Sequence, residues 1–406
     1  MRIFWFTLLL IAGLIASQAL PLLFGPLPHW AQDLRQFVTM SLLAYIMINV
    51  GRDFNLESET KKDYAIDYGV AATAAAFPWI LCALYFVYVL ISDFGSEGKG
   101  WSDVLLASRF AAPTSAGVLF SMLAAAGLAG TWAFNKTRVL AIFDDLDTVL
   151  FMVPLKALIV GFVWQLGGIL AIITTLLYLC WRFYRRVTFL PTTWPYILLY
   201  GVGITAASEF VYKLTVDPKT AVGMHIEVLL PAFVLGCMLK EDREEFHVPG
   251  AIDGLSTEDR VGIVISGLFL FLVGYSMPLG IGPNAEVKID MGIGELAIHV
   301  LAVTVLSNLG KMFPIFCYRK EARLKERVAV AVAMFPRGEV GAGVLAVALS
   351  LGVTGAFVTV AFLSLALNLI LTGVFIVIVK RLLKSATEDA EREALKLKES
   401  EAYAPT

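Results

Sequence analysis

Charge is scarce in this chain. Only 16% of its 406 residues are Asp, Glu, Lys or Arg, against about 25% in ordinary soluble domains. Histidine and cysteine are scarcer, at four each. Cys82, Cys180, Cys237 and Cys317 fall in or beside apolar runs with no paired spacing, which excludes a disulfide framework or a zinc site. No two of His29, His225, His247 and His299 stand at metal-ligand spacing, although each could titrate near neutral pH, and His225 begins a helix. No nucleotide-binding fingerprint is present, so ATP-driven chemistry has no support, and no cofactor is expected. The net charge of -2 says little, because the charges are partitioned along the chain, and no nucleic-acid partner is expected.

What is abundant is apolar sequence. Hydrophobic residues make up 58% of the chain and the mean hydropathy is +0.76. Runs near the length needed to cross a roughly 30 Å hydrocarbon core recur throughout. The sequence predicts an all-α polytopic membrane protein of about 12 transmembrane helices, embedded in a lipid bilayer. The predicted spans are Phe4–Phe24, Trp30–Val50, Tyr64–Ile91, Val104–Leu128, Val139–Gly161, Val163–Trp181, Tyr196–Tyr212, Met224–Leu239, Val261–Met277, Leu296–Tyr318, Val328–Leu351 and Phe357–Val379. The first span follows Arg2 and is long for a signal peptide.

Alternate loops hold Arg52, Lys61 and Lys62; Lys136 and Arg138; Arg182, Arg185 and Arg186; Lys240, Arg243 and Arg260; Arg319, Lys320, Arg323, Lys325 and Arg327; and, after the last span, Lys380, Arg381 and Lys384. The opposite loops hold only Arg35, Lys99, Lys213, Lys219 and Lys288. This asymmetry places both termini in the cytoplasm, and the cell inner membrane is the expected location. Residues 1–384 read as one membrane domain and 385–406 as a short cytoplasmic tail, helical or disordered.

Against this apolar background stand Asp144 and Asp145, in Ile142-Phe143-Asp144-Asp145-Leu146-Asp147, within the fifth span. A carboxylate near the bilayer centre costs roughly 3 kcal/mol or more on insertion scales, so such residues mark ion paths, proton relays or buried ion pairs. The pair reads as the ion-handling site of a transporter. Lys311 in the tenth span lies at matching depth, about 10 Å above the cytoplasmic boundary at 1.5 Å rise per residue. Pairing it with Asp144 or Asp145 would remove most of the cost of both charges, and one lysine cannot neutralise two acids. Adjacent residues on a helix diverge by about 100°, so one acid can hold the lysine while the other faces a cavity. A half-buried carboxylate can hold a proton or a small hard cation, but not both.

Two spans look interrupted. The fourth contains Ala112-Pro113-Thr114-Ser115-Ala116-Gly117 and the eleventh Phe335-Pro336-Arg337-Gly338-Glu339. Proline removes a backbone donor and glycine loosens the helix. Unwound backbone survives at membrane depth only where protein or a cavity satisfies it. The two interruptions occupy corresponding places in oppositely oriented halves, the arrangement that points to a transporter's site. Thr114 and Ser115 offer hydroxyls to a cation; Arg337 and Glu339 can compensate helix-end charges or pair with one another.

These residues resemble the monovalent cation/proton antiporter superfamily, in particular bacterial Na+/H+ antiporters with paired aspartates. The likeness runs through Asn49-Val50-Gly51-Arg52-Asp53-Phe54-Asn55-Leu56, Pro113-Thr114-Ser115-Ala116-Gly117-Val118, Ala141-Ile142-Phe143-Asp144-Asp145, Phe271-Leu272-Val273-Gly274-Tyr275-Ser276-Met277, Leu309-Gly310-Lys311 and, most specifically, Met334-Phe335-Pro336-Arg337-Gly338-Glu339-Val340. The resemblance implies inverted repeats with two crossed discontinuous helices. It implies a mobile core around helices 3–5 and 10–12, a scaffold from the other helices, and a homodimer. By position, Asp145 would carry the cation and the proton, and Asp144 would pair with Lys311 in a bridge that opens as cation binds. Exchange would be electrogenic, Na+ or Li+ against H+.

Four features depart from the family pattern: the fourth-span break carries no acid or asparagine, and Asp147, Arg109 and Lys156 are additional charges. Asp147 shares a helix face with Asp144 and could take Lys311 or Arg109 instead. Two other readings stand beside the Na+/H+ exchanger: a K+/H+ exchanger or related cation transporter, and a membrane aspartyl protease. The protease needs two carboxyls converging from separate helices, which adjacent residues do not provide; the chain is expected not to be an enzyme.

Overall fold

The computed structural model describes residues 2–25, 28–52, 54, 61–91, 100–160, 164–216, 224, 228–239, 257–277, 291–350, 353 and 355–402. Among these the regular structure is helical, and the one strand-like pairing is an isolated parallel bridge between Val187 and Leu239. The α-helices are α1 (Arg2–Phe24), α2 (His29–Arg52), α3 (Lys61–Tyr85), α4 (Trp101–Ser108), α5 (Ala116–Ala125), α6 (Trp132–Val160), α7 (Trp164–Phe183), α8 (Trp194–Thr215), α9 (Leu229–Met238), α10 (Thr257–Tyr275), α11 (Ile293–Gly310), α12 (Leu324–Ala333), α13 (Glu339–Ser350) and α14 (Ala356–Ala402). A short π-helical turn, Phe86–Leu90, prolongs α3.

Eight helical segments among the described residues are long and apolar enough to cross a membrane. They are α1, α2, α3 with its π turn, α4 with α5, α7, α8, α11 with the turn that follows it, and α14. The other expected spans fall on α6, whose charges lower its hydropathy, on the shorter apolar helices α9 and α10, and on the interrupted pair α12 and α13. Enclosure differs sharply along the chain. The α4–α5 segment is 94% buried over its apolar window, against 22% for α1, α7 and α8. The fourth span is therefore surrounded by protein, which is what an interrupted backbone requires.

Three boundaries differ from the sequence reading. The fifth span begins at Trp132 rather than Val139, so Lys136 and Arg138 lie inside α6 and are buried, instead of standing in a loop. The tenth span does not run helically to Tyr318. It leaves the α-helix at Gly310, and Lys311 is its C-terminal cap rather than a residue two turns inside it. Pro314 explains this, since it has no N–H for the Gly310 carbonyl and its ring would clash there; a short 3-10 turn, Phe313–Phe316, follows. The twelfth span continues past Val379 as one helix to Ala402. Its extension meets the start of α12 through Lys325 with Asp389 and Ser385, and through Arg323 with Glu393 at 2.7 Å. Lys325 holds the Asp389 carboxyl below its ordinary value. These side chains are largely exposed, so the contacts align the tail more than they stabilise it.

Most of the packing falls into two neighbourhoods, joined where α1 meets α14. Helix α1 lies along α10, α2 lies against α8 and α9, and α7 contacts α9. In the other, α3 packs on α6 and α11, α12 on α6 and α14, and α11 on α14. Two motif glycines explain the close approaches in the first. A Cβ on Gly51 would lie 2.3 Å from the Phe233 carbonyl oxygen, and one on Gly274 would lie 2.2 Å from that of Leu10. Backbone touches backbone at both places, the contact that small residues permit between membrane helices.

Candidate functional site

The site is built where the two interruptions meet. The fourth span leaves α-helix at Ser108, tightens into a 3-10 turn at Arg109–Ala111, and unwinds through Ala112-Pro113-Thr114. Pro113 cannot continue the ladder of backbone hydrogen bonds. Ser115 then caps α5, its Oγ accepting the Val118 N–H at 3.3 Å. The eleventh span stops at Met334 and resumes at Glu339. The freed backbone groups of one break are met by the other: the Ser115 N–H donates to the Pro336 carbonyl at 3.0 Å, and the Thr114 hydroxyl donates to the Met334 carbonyl at 3.0 Å.

Into this junction α6 projects Asp144. Asp144 is fully buried and accepts three hydrogen bonds from two donors: Lys311 Nζ at 2.9 and 2.8 Å on its two oxygens, and the Thr114 N–H at 2.7 Å. Lys311 Nζ also donates to the Ala112 carbonyl at 2.5 Å. One lysine thus serves both a carboxylate and the carbonyl end of the broken span, where the helix dipole is negative. Arg337 does the rest of that work. Its Nε donates to Ala111 O at 3.1 Å, Nη2 to Ser307 O at 2.9 Å, and Nη1 to Asn308 Oδ1 at 2.8 Å and Phe335 O at 3.2 Å. Carbonyls that would be orphaned at three helix ends converge on one guanidinium. Asp145 is buried as well, but at 7% exposure it is the one acid of the three on α6 that keeps any open surface.

The structure decides between the alternatives left for Asp147. Lys311 is held by Asp144, not Asp147, and Arg109 bonds the backbone carbonyls of Asp147 and Thr148 rather than a carboxylate. The Arg109 guanidinium lies over Trp79 at 4.8 Å and Phe151 at 5.6 Å. Arg337 pairs with carbonyls and an amide. The side chains of Glu339, Lys156 and His29 lie outside the described residues, as do Asp53, Asn55, Leu56, Lys99, Lys219, His225, Glu227, Lys240, Arg243, His247 and Lys288. His299 is hydrogen-bonded to the Tyr85 hydroxyl at 2.8 Å.

A second charged cluster went unnoticed in the sequence. Asp67 on α3 and Lys136 on α6 are 1% and 2% exposed and pair at 3.0 Å; the Tyr318 hydroxyl donates to Asp67 at 2.7 Å, and Glu321 approaches Lys136 at 3.4 Å. Lys136 also faces the Tyr318 ring at 5.0 Å. Burial and the Asp67 charge push the Tyr318 phenol well above its ordinary value, so it remains a donor at any physiological pH. The cluster ties α3 and α6 to the link after α11. Tyr318→Phe is expected to cost about 1.5–3 kcal/mol, the worth of a hydrogen bond to a charged group, read as a lower melting temperature of the purified protein.

No protein-family model matches the chain, and no curated protein matches it by sequence. Solved structures do match. One is the sodium proton antiporter MjNhaP1 from Methanocaldococcus jannaschii at pH 8, at a TM-score of 0.52 over 94% of this chain and 90% of that one, with 16% sequence identity. The chain has the sodium/proton antiporter fold. The match leaves little of either chain uncovered.

Proposed function

We propose that this chain is a secondary transporter that exchanges Na+ or Li+ for H+ by alternating access, electrogenically. The observation that carries the reading is the fully buried Asp144–Lys311 bridge at the junction of two interrupted spans, with Asp145 beside it on the same helix. The fold likeness to a protein described as a sodium proton antiporter points the same way. Asp145 is the carrier: as a carboxylate it binds the alkali cation, and as a carboxylic acid it returns the proton. Thr114 and Ser115 complete the cation's oxygen shell. The Thr114 hydroxyl gives its hydrogen to Met334 O and so keeps its lone pairs for a cation. Lys311 holds Asp144 and releases it as cation arrives, while Arg337 keeps the junction closed. Asp147 and Glu339 are structural charges, and no residue is catalytic.

The wider arrangement follows from the same reading. Twelve spans cross the cell inner membrane with both termini cytoplasmic. The neighbourhood of α3–α6 and α11–α14 is the moving core, the remaining helices are the scaffold, and two copies form a homodimer. An ion series in proteoliposomes tests the function. With a proton gradient imposed, Na+ and Li+ are expected to dequench an interior pH dye and K+ is not, with a rate that responds to a clamped membrane potential. Dequenching by K+ in place of Na+ would transfer the site to K+/H+ exchange. No response to any alkali cation would remove the exchange reading.

A further inference from the structure

Outside the charged junction, α11 and α14 share a seam of small polar side chains. Ser364, Asn368 and Thr372 recur every fourth residue on α14, so they share one face, and all three are buried. Thr304 and Ser307 on α11 are buried too. The Ser364 hydroxyl donates to the Val300 carbonyl at 3.2 Å, which pins the two helices together at that level. Further along α11, the Ser307 carbonyl is held by Arg337, and Phe335 beside it meets the Phe375 ring of α14 at 5.3 Å. The two helices therefore run in the same direction. Thr304 and Asn368, each one turn past the Val300–Ser364 contact, stand at one level. Their faces agree as well. His299 against Tyr85 and Gly310 against Pro78 mark the side of α11 that meets α3. Val300 and Thr304 share another face, about 100° around from His299, on the side that Ser364 reaches.

Each side chain at that level keeps one polar atom that no protein group meets. A threonine inside a helix ordinarily gives its hydrogen to the carbonyl four residues back. For Thr304 that is the Val300 carbonyl, which already accepts Ser364, and the Thr304 hydroxyl has no partner. The Asn368 amide nitrogen donates to the Ser364 carbonyl at 3.2 Å. Only the nitrogen can do so, which fixes the orientation of the amide and leaves Oδ1 without a partner. Buried polar groups are nearly always satisfied, by protein or by ordered water. We propose that Thr304 and Asn368 form a binding site for one water molecule between α11 and α14. The water accepts from the Thr304 hydroxyl and donates to Asn368 Oδ1. Its second hydrogen goes to the Ser364 hydroxyl, whose own hydrogen is committed to Val300. Three bonds are the usual complement of a buried water. An alkali cation suits the place less, because Thr304, Ser364 and Asn368 are all neutral and a buried ion there would be unpaired. The site lies one turn from Ser307 and Asn308, whose oxygens hold Arg337, so it braces the end of α11 that Lys311 caps. It does not depend on the exchange reading.

Crystals of the purified full chain, grown in sodium and in thallium(I) salt and diffracting well enough to show ordered water, test this. A peak of water's scattering strength is expected in both salts, within hydrogen-bond distance of Thr304 Oγ1 and Asn368 Oδ1. A melting series in detergent tests it in solution. Thr304→Val and Asn368→Leu should each lower the melting temperature, since each strands the water's bond to the other side chain. The double variant should melt higher than the summed losses predict, because alkyl groups then meet where two polar atoms were bridged. A direct Thr304–Asn368 hydrogen bond with no peak between them would overturn the proposal. So would a thallium peak at that position, which would make it a cation site, and so would strictly additive losses in the melting series.

Discussion

Asp145→Asn is expected to reduce Na+-driven dequenching to the level of empty vesicles while the protein folds and purifies normally. The amide is nearly isosteric with the carboxyl, so the packing around this 7% exposed residue has no reason to collapse. In the proposed cycle the change instead removes the one property that is used: a group that is anionic for the metal and neutral for the proton. An amide is neutral throughout, so it offers cations a weak carbonyl oxygen and carries no proton back. The neighbouring bridge of Lys311 with Asp144 does not pass through this side chain and should persist. Full exchange by the folded variant would end the case for Asp145 as carrier and direct attention to Asp144.

The second large effect is on stability. Lys311→Met leaves the Asp144 carboxylate with one remaining donor, the Thr114 N–H, and leaves the Ala112 carbonyl without Lys311. Breaking a buried ion pair from one side costs about 3–5 kcal/mol, because the surviving charge is stranded. The melting temperature in detergent should fall accordingly. Adding Asp144→Asn should recover most of the loss, since the amide oxygen still accepts from Thr114 and no charge is stranded. That recovery distinguishes an electrostatic bridge from simple packing by the lysine stem, which the second substitution could not restore. A melt unchanged in Lys311→Met, or a double variant as weak as the single losses combined, would exclude the bridge.

The sequence made the centre of this arrangement legible and its edges illegible, for a physical reason. Charges deep in apolar runs are conspicuous, so Asp144, Asp145 and Lys311 could be singled out, and Pro113 and Pro336 announce their breaks. The Asp67–Lys136–Tyr318 cluster sits near helix ends, where charged residues are ordinary and look solvated. Only three-dimensional packing shows that Asp67 and Lys136 are 1% and 2% exposed. Lys136 reads as a loop charge because strongly apolar sequence begins at Val139, seven positions after the helix does. Arg337 was legible as a helix-end compensator, but its partners Ala111, Ser307 and Asn308 come from elements far away in the chain. The end of α11 at Gly310 carried a signal that went unused, the proline four residues on.

Helix α14 has a consequence of its own. It runs unbroken for 47 residues from the membrane interior to Ala402, roughly 70 Å at 1.5 Å per residue. A stiff rod fastened to its bundle as far as Glu393 carries a small tilt of that bundle to its far end as a large sweep. A ten-degree rocking of the bundle it belongs to would displace its free tip by about 12 Å, by lever geometry over that length. A probe attached near that tip would then read out the bundle's posture from the aqueous side, without any label inside the bilayer.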